Sequence, residues 1–185
     1  MVDEFELIQR CQRGETQAFG ILVQQHMKSA YFIALGLVGS HETALDLSQE
    51  AFVRAFRSIQ KFDPQRKFFT WFYQILRNLC FNSIRNKARQ AAPFSEIGTN
   101  QINQIIDSSQ NADENLERDE LKEILWQALN SLKPHEKEII VLKDFQDLSY
   151  KEIATILQCP VGTVMSRLFA ARKTLKTKLE EYYHV

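Results

Sequence analysis

Apolar side chains recur three and four positions apart along almost the whole of this chain, and that spacing commits it to helix. Phe5, Ile8 and Cys11 open the pattern, and after Gly14 the set Phe19, Leu22, Val23 and His26 resumes it. With only six Gly and four Pro in 185 residues, the chain lacks the turn density of a strand-rich fold, so the sequence predicts an all-α protein. Gly39-Ser40 breaks the next run, and Ser40 is placed to cap a helix starting at His41. On that helix Ala44, Leu47, Ala51 and Ala55 form one stripe. Glu42, Asp46 and Glu50 form another, an acidic ridge followed by Arg54 and Arg57. Lys61-Phe62-Asp63-Pro64-Gln65 interrupts the pattern, because the residue before a proline disfavours helix. A further long helix is predicted from about Phe69 to Arg89.

Formal charge is zero overall but strongly segregated. Residues 1–60 carry seven acids and five bases, whereas residues 61–92 carry one acid, Asp63, against seven bases. Residues 93–123 reverse this with eight acids and two bases. The remainder is mildly basic, and Val161–Leu179 holds five bases and no acid. Two basic patches flanking an acidic stretch point to two separate contacts with polyanion. The acidic stretch is rich in Asn, Gln and Ser, which is linker composition, although Ile102, Ile105 and Ile106 could dock locally. Helical periodicity returns with Leu121, Ile124, Leu125, Ala128, Leu129 and Leu132. The predicted organisation is therefore two small helical domains, residues 1–92 and 116–185, joined by a flexible acidic linker over 93–115.

The second domain carries a helix-turn-helix pattern. Pro134 opens a helix at the first-turn position that proline favours. Ser149-Tyr150-Lys151-Glu152 is a capping box starting a short helix, Gln158-Cys159-Pro160 is a turn, and a second helix starts near Val161-Gly162-Thr163. On a helical wheel Val164, Leu168, Ala171, Leu175 and Leu179 share one side. Ser166, Phe169, Ala170 and Lys173 face away from it, flanked by Arg167 and Arg172. A hydroxyl, a ring and bases on one exposed face suit entry into a DNA major groove. In the first domain Phe68-Phe69-Thr70-Trp71-Phe72-Tyr73 precedes Arg77, Asn78, Arg85, Lys87 and Arg89. Rings interleaved with cations suit unstacked nucleic acid, but most of these rings are expected in the core, with Trp71 and Tyr73 buried at least in part.

Several function classes are disfavoured. Cys11, Cys80 and Cys159 stand alone, as buried or half-buried thiols of a reducing compartment rather than a disulfide frame. The four histidines lack ligand spacing, so no metal is expected, nor any cofactor. With no phosphate-binding loop, no nucleophile elbow and no nucleophile–base pair, the chain does not read as an enzyme. No apolar run reaches the roughly 20 residues of a membrane helix, and the acidic N-terminus is unlike a signal peptide, so a cytoplasmic location without membrane insertion is expected.

Five segments, in order, resemble the bacterial extracytoplasmic-function sigma factors. They are Gly14-Glu15-Thr16-Gln17-Ala18-Phe19, Asp46-Leu47-Ser48-Gln49-Glu50-Ala51-Phe52, Phe69-Thr70-Trp71-Phe72-Tyr73-Gln74-Ile75, Leu148-Ser149-Tyr150-Lys151-Glu152-Ile153-Ala154 and Cys159-Pro160-Val161-Gly162-Thr163-Val164. The resemblance spans nearly the whole chain and implies a non-catalytic subunit that binds core RNA polymerase, recognises a promoter and opens it. It implies that Asp46, Gln49, Glu50 and Arg54 dock on the clamp helices of the polymerase β′ subunit, with the β flap as a further contact. Phe62 and the loop after it, with Asn78, match the pocket for a flipped base of the −10 element, and Lys67, Trp71 and Arg85 belong to the same melting surface. Thr163, Met165, Ser166, Arg167, Phe169, Arg172 and Lys173 match the reader of the −35 element. The acidic linker resembles one that threads towards the RNA exit channel. An anti-sigma factor partner and a role in a stress response are implied as well.

Two departures from the family stand out. Asn82 replaces a frequent Asp, removing a local ion pair. Met165 and Ala170 stand where relatives often carry Arg, leaving the −35 reader poorer in cations. The competing readings are an ordinary helix-turn-helix regulator and a sigma-like decoy for an anti-sigma factor.

Overall fold

The computed structural model describes residues 3–90 and 112–183, with side chains for 3–90 and 121–181. The elements described are helical throughout: α1 (Glu4–Gln12), α2 (Thr16–Val38), α3 (His41–Ser58), α4 (Phe68–Gln90), α5 (Ala112–Ser131), α6 (Pro134–Ile140), α7 (Tyr150–Leu157) and α8 (Val161–Tyr183). The all-α prediction is met. The linker assigned to 93–115 lies, up to residue 111, outside the described residues, as do Ile102, Ile105 and Ile106. Helix α5 already begins at Ala112, ahead of the domain boundary placed at 116.

Local chemistry sets the helix ends. Ser40 caps α3, its Oγ accepting from Thr43 N at 3.4 Å. Gly39 stops α2 in the left-handed region at φ 71°, where its N–H closes on Leu35 O at 2.8 Å. Helix α1 starts α4 from a distance, because Glu4 Oε1 accepts from Phe68 N at 3.0 Å. The Ser149 box forms as expected: Ser149 Oγ accepts from Glu152 N at 3.3 Å and Glu152 Oε2 accepts from Ser149 N at 3.0 Å. Helix α6 runs on as a π-helical turn, Val141–Phe145, where Gln146 N reaches back to Val141 O at 3.1 Å.

Helices α1–α4 bury Leu7, Ile8, Leu22, Ile33, Phe68, Phe72 and Leu76 completely. Ala44, Ala51 and Ala55 are fully buried too, and such small residues let α3 lie close against its neighbours. Trp71 and Tyr73 are buried at least in part, as expected: Phe68, Phe72 and Tyr73 are in the core, while Phe69 and Trp71 are half-buried. His26 stacks beside Phe69 at 5.7 Å and lies 5.4 Å from Phe68, its Nε2 buried without a hydrogen-bond partner. Burial lowers its pKa, so at neutral pH it sits in the core as a neutral ring.

The two halves close on each other, and their buried residues form one continuous cluster. Gly36 of α2 lies under Val141, close enough that a Cβ there would meet Val141 Cγ2 at 2.5 Å. The contact also contains charge. Lys137 and Glu138, neighbours on α6, are only 5% and 3% exposed. Lys137 Nζ donates to Leu37 O near the end of α2 at 3.0 Å and to Asn130 Oδ1 at 2.6 Å, and burial lowers its pKa to about 8. Glu138 accepts the Tyr73 hydroxyl at 2.7 Å and the Arg77 guanidinium through Nε and, at 3.2 Å, Nη2. Gln74 Nε2 donates to Ile156 O at 2.5 Å.

Cys11 and Cys80 are buried, and burial pushes the Cys80 thiol up to about 12 and raises Cys11 as well. Cys159, in the turn before α8, is half-exposed. The reactive thiolate is therefore withheld at two of the three positions. Alkylation with iodoacetamide at pH 8, followed by peptide mass spectrometry, should label Cys159 first and leave Cys11 and Cys80 unmodified until denaturant is added. Labelling of Cys80 at the rate of Cys159 in native buffer would contradict this core.

Candidate nucleic-acid interface

Helix α3 turns Ala44, Ser48, Ala51, Phe52 and Ala55 inward, so its other side must face water. There Glu42, Asp46 and Gln49 are exposed, and Glu50 is paired with Arg54 one turn on, at 2.7 Å. The acidic ridge of the sequence analysis is thus a real surface. Its apolar part was missed. Leu45, Val53 and Phe56 are 47%, 42% and 43% exposed on the same side of α3, interleaved with the acids. The available signal was their position off the buried stripe of an otherwise amphipathic helix.

Between α3 and α4 lies an open cleft of about 340 Å³ lined by Arg54, Arg57, Ser58, Ile75 and Asn78. Asn78 is exposed at its wall. Phe62 is not among the lining residues. Its ring is 5% exposed and packs 4.6 Å from Trp71 and 6.2 Å from Phe68. Phe62 and Asn78, which the resemblance assigns to one pocket, thus stand apart here, Asn78 exposed at the cleft and the Phe62 ring in the core. The physical cause is Gln12 of α1, whose Nε2 donates to both Ile59 O at 2.9 Å and Phe62 O at 2.7 Å, drawing this turn of chain onto the core. The loop beyond it is shaped by Asp63, whose Oδ1 accepts from Gln65 N at 3.0 Å. Lys67 stands exposed with Nζ 3.6 Å from Glu152, across the contact between the halves. Arg85 donates to Asn82 Oδ1 at 2.9 Å, a hydrogen bond to a neutral amide in place of the ion pair that an Asp would give.

Helices α7 and α8 meet at 98°, the angle of a helix-turn-helix. Gln158 makes the turn possible by adopting the left-handed region at φ 51°, and Cys159 N then donates to Ala154 O at 3.0 Å. Val164, Leu168 and Ala171 face inward and are buried. Phe169 is 74% exposed and Met165 53%, one turn apart, with Ser166 and Lys173 exposed beside them. The Ser166 hydroxyl is turned back to Thr163 O at 3.1 Å, and Thr163 itself is half-buried. The two flanking arginines differ in their surroundings. Arg172 forks onto Asp144 of the π turn, through Nε at 3.1 Å and through Nη2. Arg167 borders a groove between the halves, together with Gln74, Arg77, His135 and Gln158.

Residues 22–90 match Sigma-70 region 2, and residues 122–175 match Sigma-70 region 4. The RNA polymerase sigma-H factor of Pseudomonas aeruginosa is 31% identical over 180 residues, spanning 95% of this chain and 93% of that one. The ECF RNA polymerase sigma-E factor of Escherichia coli is 31% identical over 179 residues, 94% of this chain and 93% of the relative. The solved structure of the sigma factor RpoE from Bartonella quintana, in complex with the anti-sigma factor NepR, superposes with a TM-score of 0.68 at 25% identity, covering 88% of this chain and 96% of that one. CnrH, solved with the cytosolic domain of CnrY, shares the fold with a TM-score of 0.69, 24% identity and coverage of 96% and 97%. With its first half matching region 2, its second half matching region 4 and relatives of this identity along nearly its full length, the chain belongs to the extracytoplasmic-function sigma factors.

Proposed function

We propose that this sigma factor docks on core RNA polymerase through the exposed face of α3, captures an unstacked base of the −10 element in the α3–α4 cleft and reads the −35 element with α8. The observation that carries the reading is the adjacency of the first two surfaces. Arg54 belongs to the ridge and to the cleft at once, so docking and base capture share one helix. Leu45, Val53 and Phe56 set among Asp46, Gln49 and Glu50 have the anatomy of a protein interface, an apolar centre with a polar surround. This fits the β′ clamp helices, with the β flap as a second contact. In the cleft, the Asn78 amide offers a donor and an acceptor to a base edge, and Arg54 and Arg57 offer charge to the phosphates beside it. Flipping a base costs a few kcal/mol, which such contacts must offset. Phe62 serves this site by fixing the loop before Lys67, with Trp71 as its packing partner, and Arg85 extends the cationic side of α4.

On α8, Met165 and Phe169 present an apolar ledge suited to thymine methyl groups. Lys173 is placed for phosphate, and Thr163 lies in the first turn, where backbone N–H groups attract phosphate. The Asp144 fork occupies two donors of Arg172, which suits it to holding the DNA backbone more than to reading a base. A sigma factor of this kind contributes binding energy rather than bond chemistry and works alongside polymerase in the cytoplasm. Among the described residues no single helix is long and apolar enough to cross a membrane. The Bartonella RpoE complex with NepR supports control by an anti-sigma protein, as suits a stress response. The ordinary-regulator reading leaves the region 2 half without a purpose.

Run-off transcription with core polymerase tests the reading as a whole. Asp46→Lys with Glu50→Lys should abolish co-purification with core polymerase at unchanged helical content, since like charges juxtaposed at an interface cost several kcal/mol. Undiminished core binding would remove α3 from the docking surface.

Met165→Arg probes the reading helix. If the new guanidinium meets a guanine edge, affinity should rise by roughly 1–3 kcal/mol for −35 variants with guanine at one position only. If it meets a phosphate, binding should tighten on every sequence, with the salt slope steeper by about 0.9. Binding across single-base −35 variants at two salt concentrations separates these outcomes, and no change in either quantity would show that position 165 does not approach DNA.

A further inference from the structure

Nine residues, 59–67, join the two helices that wall the α3–α4 cleft, and both ends of that connection are held by α1. At the near end the chain leaves cleft residue Ser58 and enters a 3-10 turn, Ile59–Lys61. Gln12 Nε2 donates to Ile59 O at 2.9 Å and to Phe62 O at 2.7 Å, and Gln60 Nε2 donates back to Gln12 O at 2.7 Å. At the far end Glu4 Oε1 accepts from Phe68 N at 3.0 Å, one of the N–H groups that a helix leaves unpaired in its first turn. The Glu4 charge also suits the positive end of the α4 dipole. Between these anchors Asp63, Gln65, Arg66 and Lys67 are exposed. Helix α1 is itself firmly seated, with Leu7, Ile8 and Cys11 buried, and it lies ahead of the stretch, residues 22–90, that matches region 2.

We infer that α1 is a positioning element for the −10 contact: Gln12 and Glu4 hold the 59–67 connection in register with the cleft, so that the loop meets DNA already ordered. The inference rests on the base-capture reading. Bonds within the loop are local: Asp63 Oδ1 accepts from Gln65 N, and Arg66 N donates to Asp63 O at 3.0 Å. They shape the turn without fixing where it sits against the cleft, and the bonds from α1 to its backbone ends supply that. The Phe62 ring is seated on Trp71, and the Gln12 bond to its carbonyl sets the direction in which the chain leaves that seat. Both partners of Gln12 Nε2 are carbonyl oxygens, so only a donor fits there. A loop released from α1 has to be ordered afresh whenever a base is captured, which lowers affinity and blurs the choice among bases. The effect falls on DNA alone, because Leu45, Val53 and Phe56 of the docking face precede the connection.

Substitutions at Gln12 separate donor from shape. Gln12→Glu keeps the outline but turns an oxygen toward two carbonyls, whereas Gln12→Lys keeps a donor of similar reach. In the full chain, hydrogen exchange over 59–68 should quicken in Gln12→Glu and stay near wild type in Gln12→Lys. Core polymerase loaded with each full-length variant is then incubated with a randomised single-stranded 12-mer pool, and the bound fraction is sequenced. Wild type and Gln12→Lys should enrich one short motif, which Gln12→Glu should flatten. For a fluorescein-labelled 12-mer of the enriched sequence, Gln12→Glu should lose affinity about tenfold for each backbone residue that must be fixed again. Its affinity for core polymerase should not change. Glu4→Gln, which keeps an acceptor oxygen, should cost less than Glu4→Ala in both readouts, and this pair serves if Gln12→Glu loses helical content. A general loss of stability would lower binding evenly across the pool and leave its base preferences intact. Unchanged exchange over 59–68 in both Gln12→Glu and Glu4→Ala, or a loosened loop that still selects the wild-type motif, would overturn the positioning role alone. A pool left unenriched by the wild-type protein would remove the base-capture reading, and the positioning role with it.

Discussion

Two opposite charges at adjacent positions of α6 have to be taken out of water together, and the arrangement of the halves follows from how that is done. Desolvating a lone ammonium or carboxylate costs several kcal/mol, so Lys137 and Glu138 are tolerable only where each finds partners. They find them on different helices. Lys137 caps the carbonyl end of α2, and Glu138 takes a hydroxyl and a guanidinium from α4. A single short helix is thereby fixed against two helices of the other half, and Gly36 provides the room for Val141 to follow. The same network holds a proton firmly: burial and the neighbouring Glu138 carboxylate raise the Tyr73 pKa well above the usual phenol value, so its hydroxyl remains a donor.

The surfaces proposed for function are what this packing leaves outside. Helix α3 commits its small residues to the core and so leaves Leu45, Val53 and Phe56 exposed among the acids, on the face proposed for docking. The α3–α4 cleft stays open, and Phe62, whose carbonyl is held by Gln12, lies outside it. Helix α8 spends Val164, Leu168 and Ala171 on packing and leaves Met165 and Phe169 in water. In each case a buried stripe on one side of a helix dictates the exposed chemistry on the other.

Much of this was legible in the sequence because it is local. The Ser40 cap, the Ser149 box and the α8 wheel depend on residues within a few turns of one another. What was not legible depends on partners far along the chain. The burial of Phe62 is decided by Gln12, fifty residues earlier. The partner of Arg77 is Glu138, sixty-one residues later, and nothing in the run Pro134-His135-Glu136-Lys137-Glu138 distinguishes its two buried charges from half-buried Glu136. Likewise the Asp144 partner of Arg172 was hidden because Asp144 lies on a π turn that the helical period does not announce.

The distance between the halves tests this account most directly. Spin labels placed at exposed Gln24 of α2 and exposed Lys176 of α8 would report it by pulsed electron resonance, in the free chain, with core polymerase and with a promoter added. The account requires one short, narrow distribution in the free chain, replaced on promoter binding by one several tens of ångströms longer, since the two elements lie about 85 Å apart on the duplex. A distribution already broad and long in the free chain, or one that stays short on the promoter, would contradict it.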